Sequence, residues 1–210
     1  MQHTTFVSTT ILSGLCATAF IAAPVSAAIT TFTDLSAWTA GVVGSGSTVA
    51  TQTFNSYSGD YGLSLSGSTG GITWTASSPD GGIYCDFGLL STSEAYYSVK
   101  FDFAPGVKAV GGNIFGTDID YNAIANVVIG VTLSNGTAYV GTSSSAADFV
   151  GFISNGAAIS SMTISASKEG AGQVYVTIDN LYLGIAPVPA PGAAALIGLA
   201  GLVAGRRRRN

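Results

Sequence analysis

The stretch Val131-Thr132-Leu133-Ser134-Asn135-Gly136-Thr137-Ala138-Tyr139-Val140 decides the fold. Two β-branched and aromatic runs flank Asn135-Gly136, a dipeptide that accepts the left-handed backbone a tight reversal needs, so the segment reads as an antiparallel hairpin. Upstream, Ile72-Thr73-Trp74-Thr75-Ala76 alternates apolar and hydroxyl side chains. That alternation puts Ile72, Trp74 and Ala76 on a core face and both threonines on the other. By the same argument Cys85 is buried between Ile83 and Phe87 as a small inert hydrophobe, and Val174, Val176 and Ile178 turn inward together.

Outward from these anchors, short apolar runs punctuated by Gly, Asn-Gly and Asp-Gly predict strands over 49–54, 63–65, 71–76, 83–90, 96–103 and 109–115. Further strands are predicted over 127–133, 137–140, 149–153, 159–166 and 174–183. One segment breaks the pattern: Thr33-Asp34-Leu35-Ser36-Ala37-Trp38-Thr39-Ala40-Gly41 offers a cap, two apolar positions three apart and a terminating glycine, which predicts a short helix. No helical segment of crossover length separates the strands, so parallel α/β architectures are excluded. The expected fold is all-β, an antiparallel jelly-roll-like β-sandwich over residues 28–186 with a short N-terminal helix.

Composition narrows the chemistry. Only 9% of the 210 residues are charged, against about 25% in an average soluble protein. All eleven acidic residues fall between Asp34 and Asp179, where Lys100, Lys108 and Lys168 are the only cations, giving that interval a net charge of −8. Such a domain repels phosphate backbones, which argues against nucleic acid as a partner, and anionic membranes are equally poor ones. The single histidine is His3, and Cys16 and Cys85 are the two cysteines. Once residues 1–27 are removed, no imidazole remains for a triad or a zinc site, and one thiol cannot form an intramolecular disulfide.

Residues 1–27 read as a signal peptide. The run from Ile11 to Val25 is apolar, rich in small residues and too short for a comfortable membrane span, and Val25-Ser26-Ala27 places small residues where signal peptidase cuts. At the other end, Pro187, Val188, Pro189, Ala190 and Pro191 precede an uninterrupted apolar run from Gly192 to Gly205, followed by Arg206, Arg207, Arg208 and Arg209. As a helix that run would rise about 21 Å, short of the roughly 30 Å hydrocarbon core. A marginal span with four trailing arginines holds its C-terminus in the cytoplasm and leaves the preceding domain outside.

This tripartite tail over residues 187–210 resembles the PEP-CTERM sorting signal of Gram-negative bacteria. The resemblance implies retention at the inner membrane, recognition at Pro189-Ala190-Pro191 by an exosortase-type processing enzyme, and delivery to the cell surface or extracellular space in species that make extracellular polysaccharide. Ala190 stands where the family usually has Glu, so the enzyme that reads this variant is left open.

Within the domain, Asp118, Asp120 and Asn122 would point to one side of an extended segment and offer the hard oxygen donors that calcium takes. The spacing is not an EF-hand loop, because Ala123 and Ile129 stand where glycine and a bidentate Glu are needed. Asp179-Asn180 is a second candidate, with Asp34 as a conceivable neighbour. A glycosidase needs two carboxyl groups at fixed separation; Glu94, Glu169, Asp86, Asp102 and Asp148 are available, and no spacing singles out a pair. Tyr57, Tyr61, Tyr84, Tyr96, Tyr97 and Tyr121 lie beside Gly, Ser, Asp or Asn and could stack on sugars. The leading expectation is an exported, non-catalytic structural or adhesive sandwich. The alternatives are a lectin-like carbohydrate-binding module, with or without calcium, and a carboxylate-dependent polysaccharide hydrolase.

Overall fold

The computed structural model describes residues 28–170 and 172–186. The segments expected to be a signal peptide (1–27) and a sorting tail (187–210, with Pro189, Ala190, Pro191 and Arg206 to Arg209) lie outside the described residues. Among the described residues no helix is long and apolar enough to cross a membrane.

The chain runs β1 (Ile29–Phe32), α1 (Leu35–Gly44), β2 (Thr48–Gln52), β3 (Gly59–Asp60), β4 (Ser64–Thr69), β5 (Ile72–Ser77), β6 (Ile83–Asp86) and β7 (Leu89–Thr92). It continues through β8 (Val99–Phe103), β9 (Val107–Thr117), β10 (Val127–Leu133), β11 (Ala138–Ser143), β12 (Phe149–Ser154), β13 (Ser161–Ser167) and β14 (Tyr175–Ile185). One sheet has eight strands in the order β1-β12-β9-β14-β7-β6-β3, with β2 also on β14; the other has six, in the order β11-β10-β13-β8-β5-β4. All these pairings are antiparallel. From β8 onward the chain shuttles between the sheets, as a jelly roll does, so residues distant in sequence become neighbours. The protein is an antiparallel β-sandwich.

The hairpin at Asn135-Gly136 forms, with β10 and β11 pairing Val131 to Tyr139 and Thr132 to Ala138. Its turn holds three residues: the Gly136 amide donates to the Leu133 carbonyl at 2.9 Å, and Gly136 alone takes the left-handed backbone, at φ 85°. That is a type I turn closed by a glycine bulge.

The core fills the space between the sheets. Trp74, Ala76, Ile83, Cys85, Val174, Val176 and Ile178 all point into it, fully buried. Trp74 sits amid Phe54, Tyr57 and Phe101, with ring centroids 5.7, 6.0 and 6.2 Å away. Burial pushes the Cys85 thiol up to about 12, which keeps it a neutral hydrophobe.

The eleven-residue strand β14 is central: β9 lines one side along its length, while β7 and then β2 share the other. The register shifts between Ile178 and Leu181. Asp179-Asn180 therefore lies inside β14 at a bulge, and the bulge lets Leu181 and Leu183 face inward where strict alternation would turn them out.

Helix α1 begins where Asp34 accepts a hydrogen bond from the Ala37 amide at 2.7 Å. The Asp34 carboxylate thus caps its own helix. Trp38 and Val42 seal a second apolar cluster with Ala109, Phe149 and Ile153 on the outer face of the eight-stranded sheet. The helix covers only part of that face, and the rest carries the site described next.

Two expectations are corrected here. Residues 83–90 form two strands, β6 and β7, joined by Phe87-Gly88. Phe87 accordingly points away from the core and is 81% exposed. The segment holding Asp118, Asp120 and Asn122 is a closed turn, not an extended strand: the Asp118 amide donates to the Asn122 carbonyl at 3.1 Å, and Thr117 bridges Ala123.

Candidate functional site

The β6–β7 hairpin has a two-residue loop, Phe87-Gly88, between the paired Asp86 and Leu89. Both loop residues have positive φ, 52° and 79°, which makes a type I′ turn. Such turns favour Asn, Asp or Gly at the first position, because a bulky side chain there costs roughly 1–2 kcal/mol. Gly88 suits its place, since a Cβ there would strike Asn55 Oδ1. Phe87 does not. Asp86 steadies the turn by accepting the Phe87 amide at 2.9 Å.

Opposite stands the turn that leaves β9. Asp118 Oδ1 accepts the amides of Asp120 and Asn122, each at 2.9 Å, and Oδ2 accepts the Asn122 side-chain amide at 3.1 Å. Burial works against the charge on Asp118, but the hydrogen bonds from Asn122 and Asp120 outweigh it and hold the carboxyl below its ordinary range. The same turn drives Tyr121 to φ 64°. The Tyr121 ring meets Phe87 edge-on at 6.1 Å and Tyr84 at 6.4 Å.

Between these two turns lies a cleft of about 580 Å³ on the outer face of the eight-stranded sheet. Phe87, Tyr84 and Tyr121 supply its aromatic surface, and Asp60, Asp86, Asp118 and Asp120 its charge. Ser91 and Thr117 contribute hydroxyls. Ser91 Oγ donates to the Val176 carbonyl at 3.0 Å and contacts Thr177 Oγ1 at 3.0 Å, and Thr177 contacts Thr117 at 2.8 Å. With one proton per hydroxyl, a single assignment fills all three contacts: Ser91 donates to the carbonyl, Thr177 to Ser91, and Thr117 to Thr177. All three side chains are buried, so the relay knits the strands beneath the cleft.

The sequence matches no family model and no curated protein. Among solved structures, the CBM22-1 xylan-binding domain of Xyn10C from Paenibacillus barcinonensis is similar over 66% of this chain and 94% of its own, at 13% identity and a TM-score of 0.30.

Of the residues the sequence singled out, the fold brings Asp86, Asp118, Asp120, Tyr84 and Tyr121 together. Asn122 serves the turn through its amide. Among the described residues no three acidic, histidine or cysteine side chains converge as a metal site. The other candidates have separate work. Asp102 pairs with Lys100 at 2.7 Å on the six-stranded sheet. Asp148 gathers the amides of Ser144 and Ser145 at 2.7 and 3.0 Å. Tyr57 and Tyr61 pack against the core, 6.0 Å apart, and the Tyr96 hydroxyl donates to the Gly172 carbonyl at 2.7 Å.

Sequence reasoning missed Phe87 and Asp60. For Phe87 a signal existed: Asp86-Phe87-Gly88 is a turn tripeptide inside an apolar run, and Gly88 marks the break. Asp60 carried none, because its strand has only two residues.

Proposed function

We propose that this protein is an exported, non-catalytic β-sandwich that binds a carbohydrate chain in the cleft between the Phe87 and Tyr121 turns. The observation that carries the reading is Phe87 itself: a ring held 81% exposed, on a backbone that penalises it, at the mouth of a polar cleft. Aromatic surface for the apolar faces of sugars beside carboxylates and hydroxyls for their hydroxyl groups is the chemistry of saccharide recognition. A purely structural surface component has no need of such a strained, exposed ring.

A hydrolase fits less well. Its general acid needs a raised pKa, whereas the Asp118 carboxyl in the cleft is held below its ordinary range by its hydrogen bonds.

Export and surface delivery rest on the signal-peptide pattern before Ala28 and on the PEP-CTERM-like tail. With these signals, signal peptidase and an exosortase-type enzyme are processing partners, and extracellular polysaccharide is the ligand within reach. The test has two arms. Retention of the wild-type chain on a glycan panel, lost in Phe87→Ala, is the expected result; no retention on any sugar would overturn the binding reading. For sorting, the mass of the protein released into the medium should lack Arg206 to Arg209, and a released form that keeps them would overturn processing of the tail.

A further inference from the structure

We propose that the cleft selects a glycan bearing free amino groups, a hexosamine chain that is wholly or partly de-N-acetylated; this rests on the carbohydrate-binding reading above. The charge of the cleft is one-signed. Asp60, Asp86, Asp118 and Asp120 line it, and among the described residues no lysine or arginine does. The three lysines of the domain are engaged elsewhere: Lys100 with Asp102, Lys108 with the Gly156 carbonyl, and Lys168 with the Ala125 carbonyl at 2.7 Å.

An anionic polysaccharide entering this field is repelled, a neutral one is treated indifferently, and an ammonium group is attracted. Ammonium groups bring three donors each and suit carboxylates, which only accept. Phe87 and Tyr121 also offer π faces, which attract cations as well as the C–H faces of sugar rings.

The placement of the carboxylates separates a chain of amines from a single metal ion. Asp60 comes from β3, Asp86 from the end of β6, and Asp118 and Asp120 from the opposite turn. They ring the cleft without converging on one point. A divalent ion needs several oxygens around one centre, whereas charges distributed along a polymer can meet carboxylates one at a time.

The experiment titrates the full chain with hexamers of glucosamine, N-acetylglucosamine and glucose, and with hexalysine, at low and high salt. The glucosamine hexamer should bind about tenfold more tightly than its acetylated counterpart at low salt, with the advantage shrinking as salt screens the carboxylates. Asp120→Asn should cut the glucosamine-to-N-acetylglucosamine affinity ratio about threefold, while Asp102→Asn, on the other sheet, leaves the ratio unchanged. Equal affinity for the three sugars would overturn this inference and leave carbohydrate binding standing. No binding of any sugar would overturn both. Hexalysine binding as tightly as the glucosamine hexamer, with no loss in Phe87→Ala, would show simple polycation attraction and overturn it too.

Discussion

Phe87 and Tyr121 face each other edge-on across 6.1 Å from two separate turns, and each holds a left-handed backbone, at φ 52° and 64°. Neither turn lies near the other in sequence. Their meeting defines the mouth of the cleft, and strain at two bulky residues in one place is a mark of a working surface.

Stability and binding should respond with opposite signs at Phe87. Phe87→Gly removes a strained side chain that is 81% exposed, so it should raise stability by about 1 kcal/mol, or roughly 2–4 °C in Tm for a domain of this size. Glycan retention should fall to background in the same variant. Thermal melts and affinity electrophoresis check the pair; a fall in Tm would mean the ring supports the fold.

The Asp118 turn is closed by its own donors, both carboxylate oxygens being occupied by Asn122 and Asp120 groups. Asp118→Ala should weaken glycan binding severalfold while costing no more than about 1 kcal/mol of global stability, since the turn is at the surface. Melting temperature should be the same with millimolar calcium as with chelator. A calcium-dependent rise of several degrees would instead place an ion on Asp118, Asp120 and Asn122.

Asp179 sits in the β14 bulge, where burial pushes its carboxyl above the ordinary value of 3.8. The unfolded chain therefore gives up this proton more readily than the folded one. The group's penalty is absent below the unfolded value and grows as pH rises through the folded one. Asp179→Asn should accordingly raise Tm at pH 7 by roughly 1–3 °C and leave it unchanged near pH 3. Melts across that range test the sign, and a stabilisation largest at low pH would contradict it.

At the centre of the sandwich, Trp74 donates from Nε1 to Thr69 Oγ1 at 3.3 Å, and Thr69 donates to Gln52 at 2.7 Å. Trp74→Ala should cost about 3–5 kcal/mol, read as a lowered urea midpoint, because the site combines full burial with three aromatic neighbours. Trp74→Phe should cost less than half of that. A loss under about 1 kcal/mol for the alanine variant would place Trp74 outside the core.

Alternation and turn residues determined the class of this protein without help from tertiary structure. The reversal at Asn135-Gly136, the inward set of Trp74, Cys85, Val174, Val176 and Ile178, and the helix capped by Asp34 are local, period-two or capping signals that the chain carries wherever it is placed. The net negative charge of the domain was legible in the same way. Tertiary structure decided the site. Residues 83–90 looked like one strand because Phe87 is as apolar as a core residue, and only the pairing of Asp86 with Leu89 reveals a turn there. Asp60, Asp86 and Asp118 belong to three segments whose encounter depends on which strands pair and in what register, a long-range property that no local pattern encodes.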